Sequence, residues 1–208
     1  MQSGLLRVHA RLDNFAVKVI GLLGPSGSGK TTLAHKAALK FALDGLSCAV
    51  VSIATPIKRD LARFFCVYPG NKELVVPLKF GSQVATTYRE ACQFYGDLMR
   101  KIDPDCFLRE MWHAVKESES DVVIVDDLRT HGEVLELRAN DAEVILIRRP
   151  ELIQSPSAAN AHPTERYAHD CVKTRESELW TPFDNNQPLD LSAQSLYESI
   201  RHIRRQIR

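Results

Sequence analysis

The sequence lacks an excess of charge of either sign, and it lacks any long apolar run. Its 208 residues include 27 Lys and Arg against 26 Asp and Glu. The chain therefore has no overall field that would attract nucleic acid or an anionic membrane. Its apolar runs are far shorter than the roughly 20 residues of a membrane span, and residues 1–15 lack the apolar core of a secretory signal. We expect no nucleic-acid partner, no membrane partner and no targeting segment.

Cysteine pairs are missing as well. The five cysteines are an odd number, none lies in a CxxC pair, and several sit among apolar residues. A free thiol in such surroundings behaves as a small hydrophobic side chain. This usage fits a reducing compartment, so we predict a cytoplasmic protein. A homodimer is compatible with the composition.

Strands and helices alternate along most of the chain. Apolar runs of strand length are separated by stretches with helical spacing and helix-end signals. The strand stretches are 16–23, 47–54, 121–127, 142–149 and a fifth near 179–185. This alternation predicts an α/β fold with about five parallel strands and helices on both faces of the sheet. The length suits a single domain over residues 1–208.

Two segments interrupt this alternation. Residues 67–85 mix proline, glycine and short apolar pieces, which indicates a segment over the surface. Residues 150–177 are polar and proline-containing, which predicts a loop or short helical lid rather than core. A terminal helix from about Leu191 is expected to pack through an apolar stripe and to keep a solvated basic face. The stripe consists of Leu196, Ile200, Ile203 and Ile207.

A glycine-rich loop joins the first strand to the first helix. It reads GPSGSGKTT over residues 24–32, which matches the full spacing of a nucleotide-binding loop. Backbone N–H groups of such a loop bind the phosphates of ATP, Lys30 reaches the β and γ phosphates, and the Thr31 hydroxyl binds Mg²⁺. The predicted ATP-binding residues are Gly24, Ser26, Gly27, Ser28, Gly29, Lys30, Thr31 and Thr32.

An acidic pair ends the third strand, in the stretch VVIVDD. A P-loop enzyme needs a carboxylate near its metal ion at this edge of the sheet. Asp126 and Asp127 are both candidates, and either could instead be a solvated strand end. Together, the loop, the strands and the acid predict a three-layer P-loop NTPase fold that binds ATP and Mg²⁺.

An ordered set of motifs resembles the phage-type deoxynucleoside monophosphate kinases, from about residue 17 to residue 200. The motifs are GPSGSGKTT, ATPIKRDLARFF, YREACQFYGDLMRKIDPDCF, DDLRTHGE, VILIRRP, HPTE and FDNNQPLDLSAQSLYESI. The resemblance implies transfer of the ATP γ-phosphate to a deoxynucleoside monophosphate, giving the diphosphate. It also implies an acceptor-binding region at 67–102, a lid at 150–177 and, for a phage-encoded protein, the host cytoplasm.

The resemblance also assigns roles to individual residues. It selects Asp127 as the metal acid beside Thr31, and the predicted catalytic residues are Lys30, Arg129 and Arg149. Arg148 and Arg149 follow a strand and could move over the transferring group when a lid closes. The predicted acceptor-binding residues are Lys58, Arg89, Gln93, Arg100, Arg129 and Glu165.

Helical spacing supports part of the acceptor set independently. Arg89, Gln93 and Arg100 stand at i, i+4 and i+11, on one helix face. The sequence departs from the family pattern at Asp97, which follows Gly96, and at two threonines, Thr130 and Thr164. We interpret these departures as changes in the shape of the acceptor pocket.

Two other functions fit the same fold. One is a P-loop kinase of another small acceptor or of a polynucleotide end; the polynucleotide is disfavoured because backbone tracking needs clustered Lys and Arg. The other is an ATP-binding switch without catalysis, which would not need arginines on an acceptor side. The chain has such arginines, so we favour the kinase.

Overall fold

The computed structural model describes residues 17–65, 75–80, 83–150, 162–174 and 177–205. Its strands are β1 (Lys18–Leu23), β2 (Cys48–Val51), β3 (Val75–Phe80), β4 (Gln83–Thr87), β5 (Val122–Leu128), β6 (Glu143–Arg148) and β7 (Thr181–Asp184). Its helices are α1 (Lys30–Leu43), α2 (Thr55–Phe65), α3 (Tyr88–Ile102), α4 (Cys106–Glu117), α5 (His131–Ala139), α6 (Pro163–Lys173) and α7 (Leu189–Arg205). The first 15 residues, in which we expect no targeting segment, lie outside the described part of the chain.

Five parallel strands form the main sheet in the order β2-β5-β1-β6-β7. The strands β1 and β5 lie inside the sheet and are almost entirely buried, which explains their nearly continuous apolar sequences. The edge strand β2 is half-buried, and the edge strand β7 is largely exposed. Because β1 pairs with β5, the glycine loop after β1 lies beside the acidic end of β5. The predicted parallel sheet is confirmed.

Helices cover both faces of this sheet. Along β1, Val19 and Leu23 belong to one core, and Ile20 and Leu22 belong to the other. The first core is completed by side chains of α2, α3, α4, α5 and α6, and the second by those of α1 and α7. The result is the predicted three-layer α/β arrangement of a P-loop fold.

The C-terminal helix packs as its apolar stripe predicts. Leu196 and Ile200 are fully buried, Ile203 packs against the same core, and Ile207 lies outside the described residues. On the basic face, two arginines form ion pairs with carboxylates at the end of α1 and just before β5. The basic residues of α7 therefore help to attach the helix to the body of the protein.

Within the segment 67–85, the structure adds a hairpin that the sequence did not indicate. Strands β3 and β4 pair in antiparallel fashion outside the main sheet, whereas residues 66–74 and 81–82 are not described. A proline in a run of strand residues argues against a strand, and β3 contains Pro77. Helix α3 follows directly and begins with a capping box formed by Thr87 and Glu90.

The segment 150–177 differs in part from its prediction as a surface lid. Helix α6 buries Ala168, Cys171 and Val172, so this helix contributes to the core. The polar residues between these three positions conceal the amphipathic spacing in the sequence. Residues 151–161 and 175–176 lie outside the described part, and the lid stays a prediction. Of the helices that the structure describes, none is both long enough and apolar enough to cross a membrane.

Candidate active site

The glycine loop between β1 and α1 closes around its own lysine. The Lys30 Nζ is buried and donates hydrogen bonds to the carbonyl oxygens of Gly24, at 2.6 Å, and Pro25, at 2.8 Å. Burial, followed by the nearby positive charge of Arg129, lowers the pKa of Lys30 from 10.5 to about 8. The loop thus holds a cation at low solvent access, where it can bind phosphate oxygens strongly.

Asn185, between β7 and α7, holds the same loop from the opposite side. Its Nδ2 donates to the carbonyl oxygen of Ser28 at 2.8 Å, and its backbone N–H donates to the carbonyl oxygen of Arg148 at 2.7 Å. Gly29 has a φ of 90°, and a Cβ atom there would lie 2.7 Å from Asn185 Nδ2. Both the backbone conformation and this contact require glycine. The motif that begins FDNN contains Asn185, but the sequence assigned it no role, because no local pattern connects two residues so far apart in the chain.

The two arginines at the end of β6 have different surroundings. Arg148 pairs with Asp184 of β7 through Nε–Oδ1 and Nη2–Oδ2 contacts of 2.8 Å each. This bidentate pair links the two strands, and the expected movement of Arg148 over the site would have to break it. Arg149 is exposed and is not among the described residues that line the cavity. Its catalytic role stays a prediction that depends on closure.

The acid Asp127 fixes the loop between β2 and α2. Its carboxylate accepts hydrogen bonds from the Ser52 hydroxyl at 2.7 Å and from the backbone N–H groups of Ile53, at 2.7 Å, and Ala54, at 2.9 Å. Charged acceptors of this kind form the stronger hydrogen bonds of a protein. These contacts occupy both carboxylate oxygens of the residue that the resemblance selects as the metal acid.

Its neighbour Asp126 contacts the nucleotide-binding loop instead. The side chain is buried and is hydrogen-bonded to the Thr31 hydroxyl, while its Oδ1 has no hydrogen-bond partner. Burial, followed by the charge of Asp127, raises the pKa of Asp126. A buried, unpaired oxygen next to the threonine hydroxyl fits a magnesium ligand set. The described residues include no group of three His, Cys, Asp or Glu side chains that could hold a metal, so phosphate and water would supply the other ligands.

A cavity of about 310 Å³ opens next to this loop. Its walls come from the start of α1, the β2–α2 loop, α2, α3, the end of β5 and the start of α6. Its lining includes all the predicted acceptor residues, Lys58, Arg89, Gln93, Arg100, Arg129 and Glu165, and the predicted metal residues, Thr31 and Asp127. Side chains from distant parts of the sequence therefore meet in one place, as the resemblance implies.

The arginines of the cavity are positioned by their neighbours. Arg129 Nη1 lies 2.6 Å from Glu165 Oε1, and Arg89 Nη1 lies 3.4 Å from the Ser26 hydroxyl of the glycine loop. Both guanidinium groups lie near the glycine loop, since Arg89 contacts Ser26 and the charge of Arg129 acts on Lys30. Guanidinium groups suit phosphate because their planar fork offers two parallel hydrogen bonds.

A capping box at the start of α5 places Arg129 at the end of β5. The Glu133 carboxylate accepts hydrogen bonds from the backbone N–H groups of Arg129, at 2.8 Å, and Thr130, at 2.9 Å. The Thr130 hydroxyl accepts in turn from the Glu133 N–H at 3.3 Å. Burial raises the pKa of Glu133, although the two backbone hydrogen bonds oppose this. The threonine that departs from the family pattern is thus the residue that caps the helix.

Of the cavity residues that were not among the predicted acceptor residues, two contact each other. Asp97 lies on α3, and its Oδ2 is 3.2 Å from Nε2 of His162, the residue before α6. The only sequence signal for Asp97 was its departure from the family pattern, and His162 occurs in the motif HPTE without an assigned role. Their contact connects α3 to the residue before α6.

Solved structures with similar backbones include APS kinase from Mycobacterium tuberculosis in complex with AMPPNP and APS. This structure has 14% sequence identity and a TM-score of 0.47, and the match covers 88% of this chain and 97% of that chain. Shikimate kinase from Aquifex aeolicus has 12% identity, 88% and 96% coverage and a TM-score of 0.46. Thymidylate kinase from Ehrlichia chaffeensis has 13% identity, 88% and 98% coverage and a TM-score of 0.48. No curated protein matches the sequence.

The family comparison is more informative. A protein-family model described as phosphomevalonate kinase matches residues 22–142, which is more than half of the chain. The match extends from the glycine loop through α3 and the acidic end of β5 to the start of β6. A phosphotransferase with a P-loop fold is thereby confirmed, whereas the deoxynucleotide specificity stays a prediction. The chain belongs to the phosphomevalonate kinase family.

Proposed function

We propose that the protein transfers the γ-phosphate of ATP to the phosphate group of a deoxynucleoside monophosphate, giving the diphosphate. The observation that carries this proposal is the cavity beside the glycine loop, where three arginines and a lysine meet next to Thr31. An acceptor that already bears a phosphate needs cations of this kind, whereas an uncharged acceptor does not. The motif resemblance favours a nucleotide as the carrier of that phosphate.

The reaction needs alignment and charge neutralisation rather than a covalent intermediate. An oxygen of the acceptor phosphate attacks the γ phosphorus, the bond to the β–γ bridging oxygen breaks, and ADP leaves. Lys30 binds the β and γ phosphates from the donor side, and Arg129, at the end of β5, neutralises charge between donor and acceptor. Arg89 binds the acceptor phosphate from α3, with Lys58 contributing from α2, and Arg100 contacts the acceptor farther along α3, beside Asp97.

Mg²⁺, when bound, neutralises charge on the β- and γ-phosphate oxygens. We assign its protein ligands to the Thr31 hydroxyl and Asp126, because Asp126 contacts Thr31 and keeps a buried oxygen unpaired. The alternative assignment, to Asp127, would use a carboxylate that already accepts three hydrogen bonds from the β2–α2 loop. We further propose that residues 67–102 and 150–177 act as acceptor-binding region and lid.

The family match favours a second candidate acceptor, phosphomevalonate. This compound also carries a phosphate monoester and would also give a diphosphate, so the cations of the cavity suit it equally. It differs from a nucleotide at the opposite end, where it has a carboxylate instead of a base. The two candidates therefore need the same cations near the glycine loop. They differ in the group, a base or a carboxylate, that would contact the far end of the cavity.

A direct assay tests the proposal. Purified protein with Mg-ATP is incubated with deoxy- and ribonucleoside monophosphates of each base and with phosphomevalonate, and ADP and the new diphosphate are separated by chromatography. Matched nucleosides without phosphate are the controls, and they should not be phosphorylated. Transfer to phosphomevalonate alone would establish the second candidate. ATP binding without transfer to any acceptor would establish the non-catalytic switch.

A further inference from the structure

Asp97 lies at the far end of a row of side chains on α3. Arg89, Gln93 and Asp97 follow one another at four-residue intervals on the helix face that lines the cavity. Arg89 marks the end near the glycine loop, because its Nη1 lies 3.4 Å from the hydroxyl of Ser26. The eight residues from Arg89 to Asp97 correspond to about 12 Å of helix. Asp97 therefore lies well away from the transferring phosphate, where the other end of an acceptor would lie.

The carboxylate of Asp97 keeps the capacity to accept a hydrogen bond. Its Oδ2 is 3.2 Å from Nε2 of His162, but its Oδ1 is 3.9 Å from the nearest guanidinium nitrogen of Arg100, beyond hydrogen-bond distance. Arg100 is also directed elsewhere, because it lies 3.9 Å from Glu133 and 5.1 Å from the ring centroid of Phe107. The side chain of Asp97 is 38% exposed and accessible to a ligand in the cavity.

The other carboxylates of the cavity already accept hydrogen bonds or form an ion pair. Asp127 accepts hydrogen bonds from the β2–α2 loop, Glu133 accepts two from the start of α5, and Glu165 pairs with Arg129 at 2.6 Å. Each of these three has at least one contact shorter than 3 Å. Asp127 lies in β5, Glu133 lies at the start of α5, and Glu165 lies in α6, where it pairs with Arg129. None of the three lies on α3. Asp97 is thus the carboxylate placed to contact the acceptor itself.

We propose that Asp97 selects the acceptor base by accepting a hydrogen bond from an exocyclic amino group. This inference rests on the proposed function and narrows it to deoxynucleoside monophosphates of cytosine, adenine or guanine. A carboxylate can only accept hydrogen bonds. Thymine and uracil place a single ring N–H between two carbonyl oxygens, and these oxygens would oppose the carboxylate. His162 acts as the positioning residue that holds Asp97 in this orientation.

The same feature separates the two candidate acceptors. A phosphomevalonate molecule with its phosphate near Arg89 would direct its own carboxylate toward the end of the cavity that holds Asp97. Two like charges at that end would repel each other, and specific sites commonly exclude wrong ligands in this way. Asp97 therefore favours an amino-bearing base over phosphomevalonate.

The test compares catalytic efficiency, kcat/KM, between acceptors that share one phosphate and sugar. For the wild-type protein, we expect dCMP to exceed dUMP by about tenfold or more, because the two bases differ chiefly in the 4-amino and 4-keto groups. In Asp97→Asn, the new amide can donate to the keto oxygen, so this ratio should fall toward one. A general loss of activity cancels in the ratio. The matched control Asp190→Asn changes an exposed carboxylate of α7 outside the cavity and should leave the ratio unchanged.

The outcomes distinguish failure of this inference from failure of the proposed function on which it rests. Equal use of dCMP and dUMP by the wild-type protein, or an unchanged ratio in Asp97→Asn, would overturn selection by Asp97 and leave the kinase intact. Transfer to no nucleotide at all would overturn both. If Asp97→Asn lacks a cooperative thermal transition, Asp97→Ser replaces it, and the wild-type comparison of dCMP with dUMP decides without any variant.

Discussion

The side-chain amide of Asn185 donates a 2.8 Å hydrogen bond to the carbonyl oxygen of Ser28, across 157 positions of sequence. Through this bond the segment after the last strand supports the loop after the first one. The backbone N–H of Asn185 is itself bound to Arg148, whose side chain is paired with Asp184. The conformation of the phosphate-binding loop therefore depends on an edge strand at the far end of the sheet order.

Replacing Asn185 tests this dependence. Asn185→Ala removes the amide donor and leaves a loop carbonyl without its partner, so we expect a loss of about 1 kcal/mol in stability and a rise in the KM for ATP. The neighbouring change Asn186→Ala, at an exposed position of the same loop, is the control and should alter neither. An unchanged ATP KM in Asn185→Ala would show that the loop keeps its conformation without this contact.

The catalytic role of Lys30 predicts a loss of turnover without a loss of fold. Lys30→Met should lower kcat by about 100-fold or more, because it removes a buried cation that neutralises phosphoryl charge. Steady-state kinetics and thermal melting measured on the same preparation provide the check. A variant that keeps its turnover within about tenfold, equal to roughly 1.4 kcal/mol of barrier, would contradict the assignment.

The lowered pKa of Lys30 also predicts how stability depends on pH. The group titrates near pH 8 in the folded protein and near 10.5 in the unfolded chain. Between these values the unfolded chain binds the proton and the folded protein does not, so the free energy of unfolding rises with pH across this window. Lys30→Met should lose this rise, by on the order of 2 kcal/mol between pH 7.5 and 10. Urea unfolding of both proteins at the two pH values measures the difference, in which other titrating groups cancel.

The two acids at the end of β5 should respond differently to amide substitution. Asp126→Asn should raise the Mg²⁺ concentration needed for half-maximal activity, because it weakens a ligand beside Thr31. Asp127→Asn should instead lower stability, by about 2 kcal/mol, because it disturbs charged hydrogen bonds to the β2–α2 loop. A magnesium titration and a melting curve for each variant serve as mutual controls. A greater magnesium effect in Asp127→Asn would restore the metal role to Asp127.

Arg129 should contribute mainly in the transition state. In Arg129→Lys the charge stays but the planar fork is lost, so we expect kcat to fall by roughly tenfold or more with a smaller change in acceptor KM. The control is Arg109→Lys, an exposed arginine paired with Asp103 outside the cavity. A change in acceptor KM alone would assign Arg129 to ground-state binding.

Most of the main sheet could be predicted because its residues are locally informative. The buried strands β1 and β5 are apolar throughout, and the glycine loop has its own spacing, so neither depends on distant contacts for recognition. The hairpin of β3 and β4 was missed because Pro77 interrupts its pattern. Helix α6 was assigned to the surface because polar residues separate its buried positions.

The site was predictable only where a motif names its members. The acceptor residues on α3 share one face by simple helical spacing, and the structure places them in the cavity. By contrast, the contact of Asp97 with His162 and that of Asn185 with Ser28 join segments that meet only through the tertiary fold. The same holds for the hydrogen-bond partners that distinguish Asp126 from Asp127.

The hydrogen bonds of Lys30 with Gly24 and Pro25 have a consequence for ligand discrimination. The ammonium group is bound by two carbonyl oxygens of the loop, so a ligand must compete with these oxygens for it. Phosphate oxygens with full negative charge can do so, because they add a Coulomb attraction to the ammonium group that a neutral carbonyl oxygen lacks. A hydroxyl or a neutral group cannot. The loop carbonyls thus compete with any ligand for Lys30, and we expect polyphosphates to displace them and unphosphorylated nucleosides not to.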